Sequence, residues 1–231
     1  SSATFANDTR VTALHVSDSS ANIATKLDTL ASTTKLTSIT QTGVLAPLNI
    51  TASQLSSKAT TLAKIKGGYT LAVSGVNAAN AATVAANSKV VSLAVTGTGA
   101  EIVTNLSGLN ALGKKVSGIL QSDPANSLAL SASQWMGQAA ALNKITGGFK
   151  ATVADVAADK AQSIAADSRV LSIDVKDTSL NLGKQLDVLQ ALGGRIVNIE
   201  KSDAAALSIT ANQWLADQQA LDKFTTDPDV V

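Results

Sequence analysis

One histidine, no cysteine and 17 carboxylates define the chemistry open to this chain of 231 residues. Without thiols there is no disulfide frame, no thiolate metal site and no cysteine nucleophile. A single imidazole, His15, excludes sites built from several histidines. His15 sits in Arg10-Val-Thr-Ala-Leu-His-Val-Ser-Asp18, where alternation places it opposite Leu14 and Val16 on a strand. Serines and aspartates to complete a Ser-His-Asp triad are plentiful, but no G-x-S-x-G elbow presents one. The expectation for His15 is a solvated strand residue. Four carboxylates, Asp18, Asp123, Asp177 and Asp203, each follow a strand and precede a turn or helix. Stacked along one edge they would suit Ca²⁺, which takes six to eight oxygens. Standing alone, each would cap a helix or shape a turn. Equivalent turns carry Gly43 and Gly97 instead. Trp135 and Trp214 share a helical slot with Leu55, so packing is expected of both, ahead of a sugar-stacking platform.

These residues are positioned by a repeat. Arg10–Asp18 returns as Lys89-Val-Val-Ser-Leu-Ala-Val-Thr-Gly97 and as Arg169-Val-Leu-Ser-Ile-Asp-Val-Lys-Asp177. Gly67-Gly68-Tyr69 returns as Gly147-Gly148-Phe149, and Ala52-Ser-Gln-Leu55 as Ala132-Ser-Gln-Trp135 and Ala211-Asn-Gln-Trp214. The offset is 79 or 80 residues throughout. It divides the chain into a lead-in (1–9), repeats over 10–88 and 89–168, a truncated repeat over 169–224, and a tail (225–231). All three repeats are expected to belong to one continuous domain. His15 has Ala94 and Asp174 as its counterparts, an exchange that an iterated catalytic role would not tolerate.

Periodicity assigns elements within each repeat. Thr12, Leu14 and Val16 alternate as a strand. Ile23, Leu27 and Leu30, then Ile102, Leu106 and Leu109, then Leu182, Leu186 and Leu189, mark one helix face. Asp18-Ser19 and Asp177-Thr178 stand where an N-cap belongs. Strands are expected near 36–39, 48–50 and 69–73 and at their counterparts. A second helix is expected through Leu55, Ala59, Leu62 and Ile65, closed by the Gly-Gly pair, and a short Ala-rich helix over 77–87 and 157–167. Strands alternating with helices predict an α/β fold with parallel pairing and right-handed crossovers. The spacing of Val90-x-x-Leu93-x-Val95 and Val170-x-x-Ile173-x-Val175 resembles the leucine-rich-repeat core, though without its Asn or Cys ladder. The expected architecture is therefore a right-handed, leucine-rich-repeat-like β-α solenoid.

Charge and composition exclude other classes. Eighteen basic against 17 acidic residues give a net charge of +1, no field to hold nucleic acid. No apolar run reaches the length of a transmembrane helix, and no secretion signal is visible. The missing initiator Met and the Asp-Pro-Asp-Val-Val end read as a piece of a longer or processed chain. Low Cys and Met with abundant Ala, Ser, Thr and Val point to an extracellular or cell-surface setting. The segments Asp18–Leu30 and Asp177–Leu189 resemble repeats of large secreted bacterial surface proteins of the adhesin kind. That resemblance implies a repeat array in an exported chain and names no activity. The expectation is a non-enzymatic structural or adhesive segment without a cofactor. Its partners would be further copies of itself stacked end to end, or a cell-surface protein or glycan. The alternatives are a module binding Ca²⁺ or a glycan, and a polysaccharide-acting enzyme using the acidic residues of the third repeat.

Overall fold

The computed structural model describes residues 8–226 and 230. Most of the lead-in and part of the tail, with the Asp-Pro step at 227–228, therefore lie outside the described residues. The first repeat contains β1 (Leu14–Asp18), α1 (Ser20–Thr25), α2 (Leu27–Ala31), β2 (Leu36–Gln41) and β3 (Leu48–Thr51). It continues with α3 (Ala52–Ser57), α4 (Ala59–Leu62), β4 (Ile65–Lys66), β5 (Leu71–Asn77) and α5 (Ala81–Ala85). The second runs through β6 (Val90–Gly97), α6 (Gly99–Ala111), β7 (Val116–Gln121), β8 (Leu128–Ser131), α7 (Ala132–Gly137) and α8 (Ala139–Leu142). It closes with β9 (Ile145–Thr146), β10 (Ala151–Val156) and α9 (Ala161–Ala165). The third supplies β11 (Val170–Asp177), α10 (Ser179–Leu192), β12 (Ile196–Lys201), α11 (Ala211–Ala216) and α12 (Gln218–Leu221). The fold is α/β, and the strand pairs are parallel.

The described residues form two compact units, one within 8–97 and 111–120, the other within 98–110 and 121–226 with 230. In the first, β1-β2-β4 form one sheet and β3-β5-β6-β7 run consecutively in another. In the second, the order is β8-β10-β11-β12. Sheet order thus departs from a coil in which each strand pairs with its successor in sequence. β2 skips β3 to pair with β4, Ile39 opposite Ile65, while β3 pairs with β5, Leu48 opposite Leu71. The reason is connection length. Parallel neighbours need a crossover of about a dozen residues or more. Only residues 42–47 separate β2 from β3, so β2 must wait for β4. The same interleaving recurs in the second unit, where Ile199 bridges Phe224 and Leu207 bridges Val230.

The expected helix face forms. Ile23, Leu27 and Leu30 are buried, as are Ile102, Leu106, Leu109, Leu182, Leu186 and Leu189. In the second unit α9, β11 and α10 share one core, with Ala161, Ile164, Val175, Leu182 and Leu186 among its buried members. Ser19 and Thr178 are N-caps, each accepting from the amide three residues on. Three expectations are corrected. Thr12 is exposed and precedes β1, which begins at Leu14. The second helix is two short ones, because the backbone leaves helical geometry at Lys58, Gln138 and Asp217. Ala59 is then exposed, and Ile65 lies on β4 instead. The Gly-Gly pair accordingly follows the short strands β4 and β9, with Gly67 and Gly147 at φ of 81° and 82°, a region that favours glycine. Capping boxes open this helix pair in every repeat: Thr51 with Gln54, Ser131 with Gln134, Thr210 with Gln213.

Candidate functional site

The four turn carboxylates work at helix N-termini, where unpaired amides and the helix dipole favour negative charge. Asp18 Oδ1 accepts from Asn22 Nδ2 and from the Ser19 amide, each at 2.7 Å. Asp123 reaches α6 from the loop after β7, accepting from the Gly99 amide at 2.6 Å and from Asn126 Nδ2 at 3.0 Å. Asp203 does the same for α10, accepting from Ser179 Oγ at 2.6 Å and from its amide. Asp177 accepts from Asn181, Thr178 and, through Oδ2, from the Ala158 amide at 2.9 Å. These bonds hold all four below the usual carboxylate range. The Asn22 side chain leads for Asp18, Asn126 for Asp123 and Ser179 for Asp203. At Asp177 burial pushes upward most strongly and the donors together outweigh it.

The glycines seen in sequence now have a pattern. α1 is served by the carboxylate at the end of its own strand, with Gly43 in the other slot. α6 is served from the following loop, with Gly97 in the first slot. α10 has both Asp177 and Asp203. Each first helix keeps at least one carboxylate at its start. Among the described residues no three His, Cys, Asp or Glu side chains cluster as metal ligands would. Only Asp177 and Asp203 converge, on the start of α10.

His15 is exposed on β1, its Nδ1 2.7 Å from Ser38 Oγ. Its counterpart Asp174 accepts from Asn198 Nδ2 at 3.0 Å. The two polar side chains make the same cross-strand contact with different chemistry. Beside Asp174 lies a cavity of about 220 Å³ lined by Asp155, Lys176, Asn198, Glu200 and Thr225. Lys176 Nζ stands 2.7 Å from Glu200, so the acidic residues of the third repeat are partly neutralised. Asp155 holds φ at +56°, a left-handed position filled by Gly75 one repeat earlier. The chain bulges there, between Val153 and Val156.

The grooves beside the capping-box helices were not anticipated. In the second unit Trp135, Met136, Ala139, Leu142, Ile164 and Arg169 line a cavity of about 320 Å³. The Trp135 and Phe149 rings meet edge to face at 6.4 Å. Arg169 lies 5.1 Å from one ring centre and 5.2 Å from the other, and pairs with Asp167 at 2.9 Å. In the first unit Leu55, Leu62, Tyr69 and Lys89 line the matching cavity of about 450 Å³, with Lys89 Nζ 3.8 Å over Tyr69. The signal lay in the recurring Tyr69/Phe149 and Lys89/Arg169, whose separation in sequence hid that they meet. Trp135 packs against the core as expected. Trp214 does not: it is 49% exposed, beside Leu215 at 76%. The counterpart of Phe149, the ring that flanks Trp135, falls at 228, outside the described residues.

Protein-family models, curated proteins and solved structures all return no match to this chain. Among the described residues no helix is long and apolar enough to cross a membrane.

Proposed function

We propose that this chain is a non-enzymatic structural or adhesive repeat segment of a secreted bacterial cell-surface protein. Its repeats would stack as a right-handed β-α array, a solenoid interleaved at β3 and β4 rather than wound one strand per turn. The supporting observation is the contrast between kept and varied slots. Caps and core positions keep their chemistry in all three repeats. Strand positions off the core exchange freely, as with exposed His15 and half-buried Ala94 and Asp174. A scaffold tolerates that exchange, whereas a repeated active site does not. The array would associate end to end with further copies outside the cell. Sedimentation velocity over about a hundredfold range of concentration tests this, with concentration-dependent growth expected. A strict monomer would reject self-stacking.

A second reading rests on the recurring cation–aromatic groove. Trp135 and Arg169, or Tyr69 and Lys89, offer a ring face and a cation suited to an acidic glycan. Screening the chain against acidic and neutral oligosaccharides tests it. Binding that survives Trp135→Ala and Arg169→Ala would reject the groove as the site.

A further inference from the structure

β11 and α10 carry a strand and a helix of the preceding repeat. β10 lies parallel to β11, with Val153 opposite Ile173 and Val156 opposite Val175. Ala158, Ala161, Ile164 and Ala165 pack with Leu182, Leu186 and Leu189 in one core. The Ala158 amide donates to Asp177 Oδ2. Under this cover Val170, Ile173 and Val175 are each 1% exposed.

The same platform recurs at β1. Asp8 and Arg10 pair at 2.6 Å, as Asp167 and Arg169 do at 2.9 Å. Lys35 Nζ donates to the Asp8 carbonyl, where Arg195 donates to the Ala165 and Val170 carbonyls. Positions 3–10, Ala-Thr-Phe-Ala-Asn-Asp-Thr-Arg, also echo Ala82–Lys89, Ala-Thr-Val-Ala-Ala-Asn-Ser-Lys. Yet among the described residues β1 pairs on one side only, with β2. Val11, Leu14 and Val16, the counterparts of Val170, Ile173 and Val175, are only half-buried. A cavity of about 250 Å³ opens between β1 and the following helices, lined by Val16, Asp18, Asn22, Ile23, Lys26 and Leu30. Val16, Ile23 and Leu30 are the counterparts of Val175, Leu182 and Leu189, which share a core with α9, and Asp18 is the counterpart of Asp177. Asp18 Oδ1 is engaged, and no described residue donates to Oδ2, the atom used at Asp177.

We propose that the side of β1 left unpaired among the described residues and the groove along Ile23 and Leu30 form a docking surface for the fourth-strand and Ala-rich-helix segment of another repeat. The occupant is defined by the second unit itself: a strand burying Ala151, Val153 and, past its bulge, Val156, then a turn whose first amide meets Asp18, then a helix presenting Ala, Ile and Ala. Strand pairing supplies the backbone hydrogen bonds, and the groove selects small apolar side chains. The inference rests on the array reading and specifies the joint by which one repeat receives the next.

The test is a fluorescent peptide covering 149–167, titrated with the full chain. Saturable binding is expected, with hydrogen-exchange protection appearing over 11–18 and 22–30. A peptide carrying Ile164→Asp should bind about tenfold more weakly or worse, since it would bury a lone charge. That change leaves the folding of the chain untouched. No binding, equal binding by the altered peptide, or protection confined to 170–177 would overturn the proposal, the last because the peptide would then be replacing its own copy. Sedimentation of the chain with excess peptide separates the two readings. Self-association blocked by peptide supports this surface. Self-association that persists rejects this surface and leaves the array standing.

Discussion

The slot where the first helix meets the paired short helices is filled by opposite electrostatics in the first and third repeats. In the first, Asp28 faces Lys58, 3.2 Å apart, and Asp28 also accepts from Gln54 Nε2 at 2.9 Å. In the third, the same positions are Asp187 and Asp217. In the middle repeat they are Ser107 and Gln138, with no ionisable group. The backbone barely registers the exchange. Lys58, Gln138 and Asp217 all stand at the break between the short helices, with φ of −113°, −115° and −106°. Local geometry is therefore set by the capping boxes and the buried leucines, and the paired residues are free to differ. What differs is the response to protons. Gln54 and then Lys58 hold Asp28 below the usual carboxylate range. Asp217 is 4% exposed, its Oδ2 has no partner, and burial together with Asp187 pushes it up to about 6.

If the leucines set the geometry, removing one should be the largest perturbation, and equal in both repeats. Leu27 and Leu186 are both fully buried. Replacing either with Ala should destabilise the chain by about 2–5 kcal/mol, the range for a buried leucine. Denaturant unfolding of the two variants checks this. A Leu186→Ala variant with an unchanged midpoint would show that α10 does not hold the slot.

Much of this was legible in sequence because it depends on local periodicity and an internal repeat. The three apolar helix faces, the caps at Ser19 and Thr178 and the parallel α/β class follow from residues near one another in the chain. The interleaving of β3 and β4 did not follow from periodicity, which says where a strand is and not which strand it joins. It was still deducible, since residues 42–47 are too few for a parallel crossover. The S/T-x-x-Q boxes were visible but were read only as markers of the repeat. The cation–aromatic grooves and the Asp187–Asp217 pair were not legible, because each joins residues 20 or more positions apart. Trp214 shows the limit of carrying one repeat's environment to another, because the position matching Phe149 is Pro228 and offers it no aromatic neighbour.

The acid pair should make the two repeats answer pH with opposite sign. A carboxyl whose native pKa is about 6, against 3.8 in the unfolded chain, binds its proton more tightly when folded. Its contribution is full below about pH 4 and is lost as pH rises through about 6, amounting to about 2–3 kcal/mol. Asp28 works in reverse: its depressed pKa stabilises above the usual carboxylate range, and that stability is lost as pH falls below it. Asp217→Asn should remove the decline between about pH 4 and 6 and raise stability at pH 7. Thermal melts of both proteins across that interval decide it, and parallel curves would discard the buried-proton account.

The smallest effect belongs to the pair that looks most like a stabilising interaction. Lys58 and Asp28 form an ion pair, but the Asp28 side chain is 64% exposed, so water and salt screen the attraction. Asp28 also keeps its bond from Gln54 when the lysine is gone. Lys58→Ala should therefore cost no more than about 0.5 kcal/mol, shrinking further in high salt. Lysine placed at 217 would meet Asp187, which is exposed as Asp28 is, so solvent screens the new attraction too, and what this change adds is relief of the acid–acid contact. Asp217→Lys should thus gain more at pH 7 than Lys58→Ala loses, although both create or destroy the same kind of pair. Urea midpoints of the two variants, at low and high salt, make the comparison. A loss at Lys58 matching the gain at 217 would mean that removing the acid–acid contact adds nothing, and that the repeats differ by charge sign alone.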